Sequence, residues 1–155
     1  MKLALVLLAL RFGPNDVASV FFISKSENKN EVHYGIHLDP QCNVDGAQPV
    51  YPYWQMREGN PHFEALLSRE ESAYGIASQS VTGNSVRVVL RALPDRPILV
   101  HVSRTDTGCV ATATTTIARA PASLDHVFVQ VAWPFGVSYL ELVGKAPGVE
   151  ERIAK

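Results

Sequence analysis

The stretch PVYPYWQMREGNPHFEALLSREESAYGI, residues 49–76, decides the fold, because it holds both the most aromatic strand and the one helical pattern of the chain. Val50 to Arg57 is rich in aromatic residues and reads as a strand. Alternation places Tyr51, Tyr53 and Gln55 on one face and Val50, Trp54 and Met56 on the other. Pro49 and Pro52 cannot donate ladder hydrogen bonds, which argues for an edge or a bulge. Glu58-Gly59 breaks the strand. Asn60-Pro61 is a helix start, with Asn as N-cap and Pro at the first helical position. Phe63, Leu66, Leu67, Glu70 and Tyr74 then recur at helical spacing, so a helix is expected over about residues 61–73. Glu70 is the polar member of that stripe, and a buried unpaired carboxylate is costly. It must reach water or find a cation, for which Arg87, Arg91 and Arg104 are the candidates.

Outward from this stretch everything else reads as strand. Val17 to Ser26 is β-branched and aromatic and ends in the polar turn Glu27–Asn30. Glu31 to Asp39 alternates strictly, with Val32, Tyr34, Ile36 and Leu38 opposite His33, Gly35 and His37. Residues 40–48 form a loop. Downstream, Gly75–Val81 pairs with Ser85–Leu93 through Thr82-Gly83-Asn84. After a turn at residues 93–97 come Ile98–Arg104, then Cys109–Arg119, with a further break at Ala120–Ser123. Leu124–Trp133 and Val137–Val143 form the last pair. Lys145–Lys155 is charged and expected to be loose, with room for one short strand. About eight strands at roughly ten-residue spacing, with one inserted helix, define an all-β domain: an antiparallel sandwich or barrel spanning residues 17–152.

A chain of 155 residues can bury a core of its own. A net charge of −1 without a Lys/Arg run longer than a pair gives no nucleic-acid footprint. Residues 1–16 contain Met1-Lys2 followed by eight apolar residues from Leu3 to Leu10, a signal-like segment too short to span a membrane. A secreted or periplasmic location is therefore expected; a buried N-terminal segment or a mis-called start codon, with a cytoplasmic location, is the alternative. Cys42 and Cys109 can pair if the protein is exported, and that bridge would stabilise by about 4 kcal/mol on the chain-entropy model.

Chemistry is harder to find. His33 and His37 share a strand face, but four residues of strand separate them by about 13 Å, too far to bind one metal unaided. No GxSxG, SxxK, HExxH or glycine-rich phosphate loop occurs. No catalytic set, metal or cofactor is assigned. An enzyme would need a cleft joining His101 or His126 to a carboxylate. Arg87 and Arg91 alternate with Val86, Val88 and Leu90, so they face solvent or line a cleft.

Phe21-Phe22-Ile23-Ser24-Lys25-Ser26, Asn28-Lys29-Asn30 and Val32-His33-Tyr34 resemble the opening of the bacterial family labelled domain of unknown function 4833. Pro49-Val50, Tyr53-Trp54, Ala73-Tyr74-Gly75 and Tyr139-Leu140-Glu141-Leu142 with Gly144 extend the resemblance over residues 17 to 152. It implies a β-rich, often exported domain and carries over no catalytic residues. The leading expectation is a non-enzymatic domain that binds a small apolar or aromatic ligand. Tyr51, Tyr53, Trp54, Glu70, Tyr74, Arg87, Arg91 and His101 are the candidate ligand-binding residues. The alternatives are a structural or protein-interaction module that uses the aromatic strand as an edge, and a hydrolase whose site is assembled from distant residues.

Overall fold

The computed structural model describes residues 10–134 and 136–155; nine of the signal-like residues, Met1 to Ala9, lie outside them. Eleven strands and one helix follow in the order β1 (Val17–Lys25), β2 (Glu31–Ile36), β3 (Val50–Met56), β4 (His62–Glu64), α1 (Ser68–Tyr74), β5 (Ile76–Thr82), β6 (Ser85–Leu90), β7 (Leu93–Thr105), β8 (Gly108–Ile117), β9 (Ala120–Val131), β10 (Val137–Gly144) and β11 (Glu150–Ala154). The all-β class with one helix holds. The strands form one mixed sheet that does not close into a barrel.

The long strand β9 organises it. Its first residues, Ala120–Ser123, pair with β8, whereas Leu124–Val131 pair with β10 and His126–Val129 lie beside β1. The sheet changes partners along one strand, so β4-β3-β2-β1 and β5-β6-β7-β8 share a core without a barrel seam. The β1–β9 pair is parallel, a departure from the all-antiparallel expectation. No hairpin joins these two strands, so nothing local dictates their direction.

Alternation builds that core. Phe21, Ile23, Val32, Tyr34, Ile36, Val50 and Trp54 from one half meet Val86, Val88, Leu90, Ile98, Val100 and Ala113 from the other. Two devices hold the seam away from β9. The Gln79 amide on β5 accepts from the Val50 N–H and donates to the Val50 carbonyl, both at 3.0 Å, and so stands in for a strand neighbour. Cys42 is joined to Cys109, tying the loop after β2 to β8.

Four local expectations change. The helix starts at Ser68 rather than at Pro61, because His62–Glu64 turn back and pair with Met56–Trp54. Gly59, at φ 72°, supplies the left-handed residue of that hairpin. Residues 93–97 are the start of β7 rather than a turn, since the β6–β7 reversal is made by Arg91-Ala92. The break expected at Ala120–Ser123 falls instead at Ala118-Arg119, both at positive φ. Glu151 holds that unusual turn by accepting the Ala118 N–H at 2.7 Å, while Arg96 grips the same carboxylate through two bonds of 2.9 Å. The charged C-terminus is ordered as β11 along β10.

Candidate functional site

The strands β1, β2 and β3 send alternate side chains to the core and to an outer face. On the outer face the register aligns His126, Phe22, His33 and Tyr53 across four strands. Their rings are stacked in sequence, with centroids 4.9, 5.0 and 5.9 Å apart. Cross-strand neighbours of this kind stabilise a sheet face and fix ring orientation. Phe12 and Phe63 close over Tyr53 edge-on at 5.0 and 5.7 Å, leaving Tyr53 buried. Burial raises its phenol to about 12.

Two polar constellations sit within this aromatic face. In the first, the buried Asp16 carboxylate accepts from Gly13 N–H, Tyr51 hydroxyl and His37 Nδ1 at 2.8 Å each, and from Leu38 N–H at 3.2 Å. Burial pushes this carboxyl up, but the hydrogen bonds from Gly13, Tyr51, His37 and Leu38 outweigh it and hold the group below its ordinary range. Gly35 makes the arrangement sterically possible. A Cβ there would come within 2.7 Å of the Tyr51 ring and 2.8 Å of the Ala18 carbonyl. In the second, Ser19 Oγ lies 2.6 Å from His33 Nδ1, and His33 Nε2 lies 3.1 Å from Glu31 Oε1. Arg57 Nε donates to that same oxygen at 2.8 Å. Burial lowers the His33 imidazole below 6.5, which outweighs the upward pull of Glu31.

The expected binding residues do not converge on one place. Tyr51 and Tyr53 belong to the outer face. Trp54 is in the core, with Lys25 Nζ 4.6 Å from its ring centroid, Tyr74 against its edge, and its indole N–H without a protein partner. Glu70 is partnered by the Leu67 N–H at 2.8 Å, not by an arginine. It shares a small polar pocket of about 200 Å³ with Lys25, Trp54 and Glu64. Arg87 is exposed on β6, and His101 is exposed with Ser85 Oγ at 3.0 Å from its Nδ1. His126 does have a carboxylate, Asp125 at 2.8 Å, but neither residue lines the polar pocket at Glu70 or the cleft beside α1.

Only Tyr74 and Arg91 meet in a larger cavity. This cleft of about 360 Å³ lies between the end of α1, the β6–β7 turn, β10 and the last residue. Ala73, Tyr74, Ala92, Val129, Val137 and Leu140 make its apolar lining, Ser72 completes it, and Arg91 and Lys155 are its charged residues. Arg91 is fixed by its N–H, which donates to Gly75 O at 3.0 Å; Lys155 is fixed by its N–H to Ser138 O at 3.1 Å. Sequence reading missed the β10 contribution, since nothing in Val137 or Leu140 distinguishes a cleft wall from core. Among the described residues no group of three His, Cys, Asp or Glu side chains is placed to hold a metal ion, and no helix is long and apolar enough to cross a membrane.

Fold and sites together define an all-β fold with a stacked polar-aromatic outer face and a separate apolar cleft. The family model described as domain of unknown function (DUF4833) matches residues 21–155, and the chain belongs to that family. No curated protein and no solved structure matches the chain.

Proposed function

We propose that this is an exported domain that binds a small apolar or aromatic molecule bearing an acidic group, in the cleft beside α1. The observation that carries the reading is the composition of the cleft: an apolar lining whose two charged side chains, Arg91 and Lys155, are both cations. Its volume falls in the range of small-molecule sites of about 300–1,000 Å³, and such sites combine apolar walls with few polar groups that orient the ligand. The Cys42–Cys109 bridge supports an oxidising compartment. Tyr53 and Trp54 are only 2% and 6% exposed, so an interaction edge built on β3 is the weaker reading.

The test uses 8-anilinonaphthalene-1-sulfonate, an aromatic anion whose fluorescence rises in apolar surroundings. Titration should saturate at one site per chain. Arg91→Glu should weaken binding at least about tenfold, equivalent to about 1.4 kcal/mol. Binding that does not saturate, or an Arg91→Glu affinity equal to wild type, would sink the reading.

A further inference from the structure

We propose that Ser19, His33 and Glu31 form a nucleophilic relay that transfers an acyl group from aromatic or otherwise activated esters, an activity separate from the cleft. Three observations carry it. Ser19 Oγ, His33 and Glu31 are joined in series at 2.6 and 3.1 Å, the connectivity of nucleophile, base and orienting carboxylate. The partners settle the tautomer. A carboxylate can only accept, so Nε2 carries the proton toward Glu31 and the Nδ1 lone pair faces the serine hydroxyl. Arg57 Nε, donating to the same Glu31 oxygen at 2.8 Å, locks that carboxylate in place.

The second observation is local backbone. The β1–β2 register shifts between Val17 and Phe21, so Ser19 lies in an irregular stretch of an otherwise regular pair. Bulges re-aim side chains and recur beside active sites. Ser19 is exposed, whereas the His33 side chain is only 12% exposed: the nucleophile is open to substrate and the base is sheltered. The third is the neighbourhood. His33 is stacked between Phe22 and Tyr53, and the Tyr53 hydroxyl donates to the carbonyl of Ala18, next to the serine. These rings and the bond to Ala18 hold the imidazole and the serine backbone in a fixed relation.

The step balances without a cofactor. Ser19 Oγ attacks the ester carbonyl carbon while its proton passes to His33 Nδ1, and the imidazolium is stabilised by Glu31. Collapse of the tetrahedral adduct breaks the bond to the alcohol or phenol, which takes the proton from His33. Water then attacks the acyl-serine, with His33 again as base, and releases the acid.

A fluorophosphonate probe tests this on the full chain. A Ser19 O–P bond should form with loss of fluoride, giving one adduct by intact mass that peptide mapping places on Ser19. Ser19→Ala should abolish the adduct, and His33→Gln should slow labelling at least about a hundredfold, the usual lower bound for a lost general base. The labelling rate of wild type should rise with pH through an inflection below 6.5, the ordinary imidazole value. That profile separates a base from a structural histidine even if His33→Gln fails to fold. Absence of an adduct, an adduct elsewhere, full labelling of Ser19→Ala, or a flat pH profile each overturns the proposal. Saturating the cleft with 8-anilinonaphthalene-1-sulfonate should leave the labelling rate unchanged, which keeps this relay distinguishable from the cleft.

Discussion

The two faces of β1–β2–β3 are made by the same backbone from alternate residues, and they do different work. The inner face is Phe21, Ile23, Val32, Tyr34, Ile36, Val50 and Trp54, all buried in one apolar cluster. Apart from the unpartnered indole N–H of Trp54, its one polar group is the Tyr34 hydroxyl, which donates to Tyr74 O at 2.6 Å. The outer face is Phe22, Glu31, His33, Tyr51 and Tyr53, in which each titratable side chain except the Glu31–Arg57 pair bonds a group on the N-terminal segment, on β1 or on a neighbour two residues away. A period of two therefore separates an apolar core from a hydrogen-bonded polar-aromatic face on one piece of sheet. Inner-face substitutions should cost folding energy in proportion to the volume lost, while outer-face substitutions should cost less stability and change protonation or reactivity.

The largest expected effect is on the inner face. Trp54→Ala removes the bulkiest buried ring of β3, along with its edge contact to Tyr74 and its contact with Lys25. A loss of about 3–5 kcal/mol is expected in urea denaturation, the range for such truncations. Phe22→Ala, on the outer face of β1, should lose less. If the two variants lose equally, the division between the faces fails.

Next comes the outer-face carboxylate. Asp16→Asn should destabilise by about 2 kcal/mol at neutral pH, because an amide cannot accept from four donors at once. Asp16 titrates below its ordinary 3.8 in the folded chain. Its contribution is thus fully present above 3.8 and is lost as pH falls through the lower, folded value. The gap between wild type and Asp16→Asn should therefore narrow when denaturation is repeated near pH 3. A constant gap would mean that shape rather than charge sets the contribution. A smaller cost, about 1 kcal/mol, is expected for Tyr34→Phe, which strips the polar atom of the inner face and leaves the Tyr74 carbonyl without that donor.

The inner face was largely legible in the sequence and the outer face was not. Strict alternation in Glu31–Asp39 and the Thr82-Gly83-Asn84 hairpin were enough to assign strands and core side chains. The helix start is not legible, because Asn60-Pro61 is equally good turn chemistry and Phe63 fits a helical stripe by spacing alone. In the fold, Phe63 instead packs on Phe12 and Tyr53. The Ala118-Arg119 turn carries no Gly or Asn to announce it, and its support, Glu151, lies 33 residues away. Ser19 and His33 meet only because the β1–β2 register shifts between Val17 and Phe21, and Asp16 meets His37 across 21 positions. Neither spacing is a motif. Such pairs follow from cross-strand register, which a single sequence encodes only through its turns and bulges.

The finest discrimination between the faces comes from His33. Its folded imidazole titrates below 6.5, chiefly because burial disfavours the charged form. A depressed histidine leaves stability intact above 6.5 and erodes it as pH falls from there toward the folded value, because the unfolded chain takes up the proton first. Wild type should thus lose a small increment of stability as the pH drops below 6.5, and His33→Gln should lack it. Charge on Glu31 opposes the effect and Arg57 adds to it, so Glu31→Gln should enlarge the increment and shift any labelling inflection at Ser19 further down. Denaturation midpoints between pH 7 and pH 5 for the three chains measure this directly. If stability and Ser19 labelling lose their pH dependence together in His33→Gln, one imidazole governs both. If only stability changes, His33 is a packed ring, and the outer face differs from the inner one in polarity but not in reactivity.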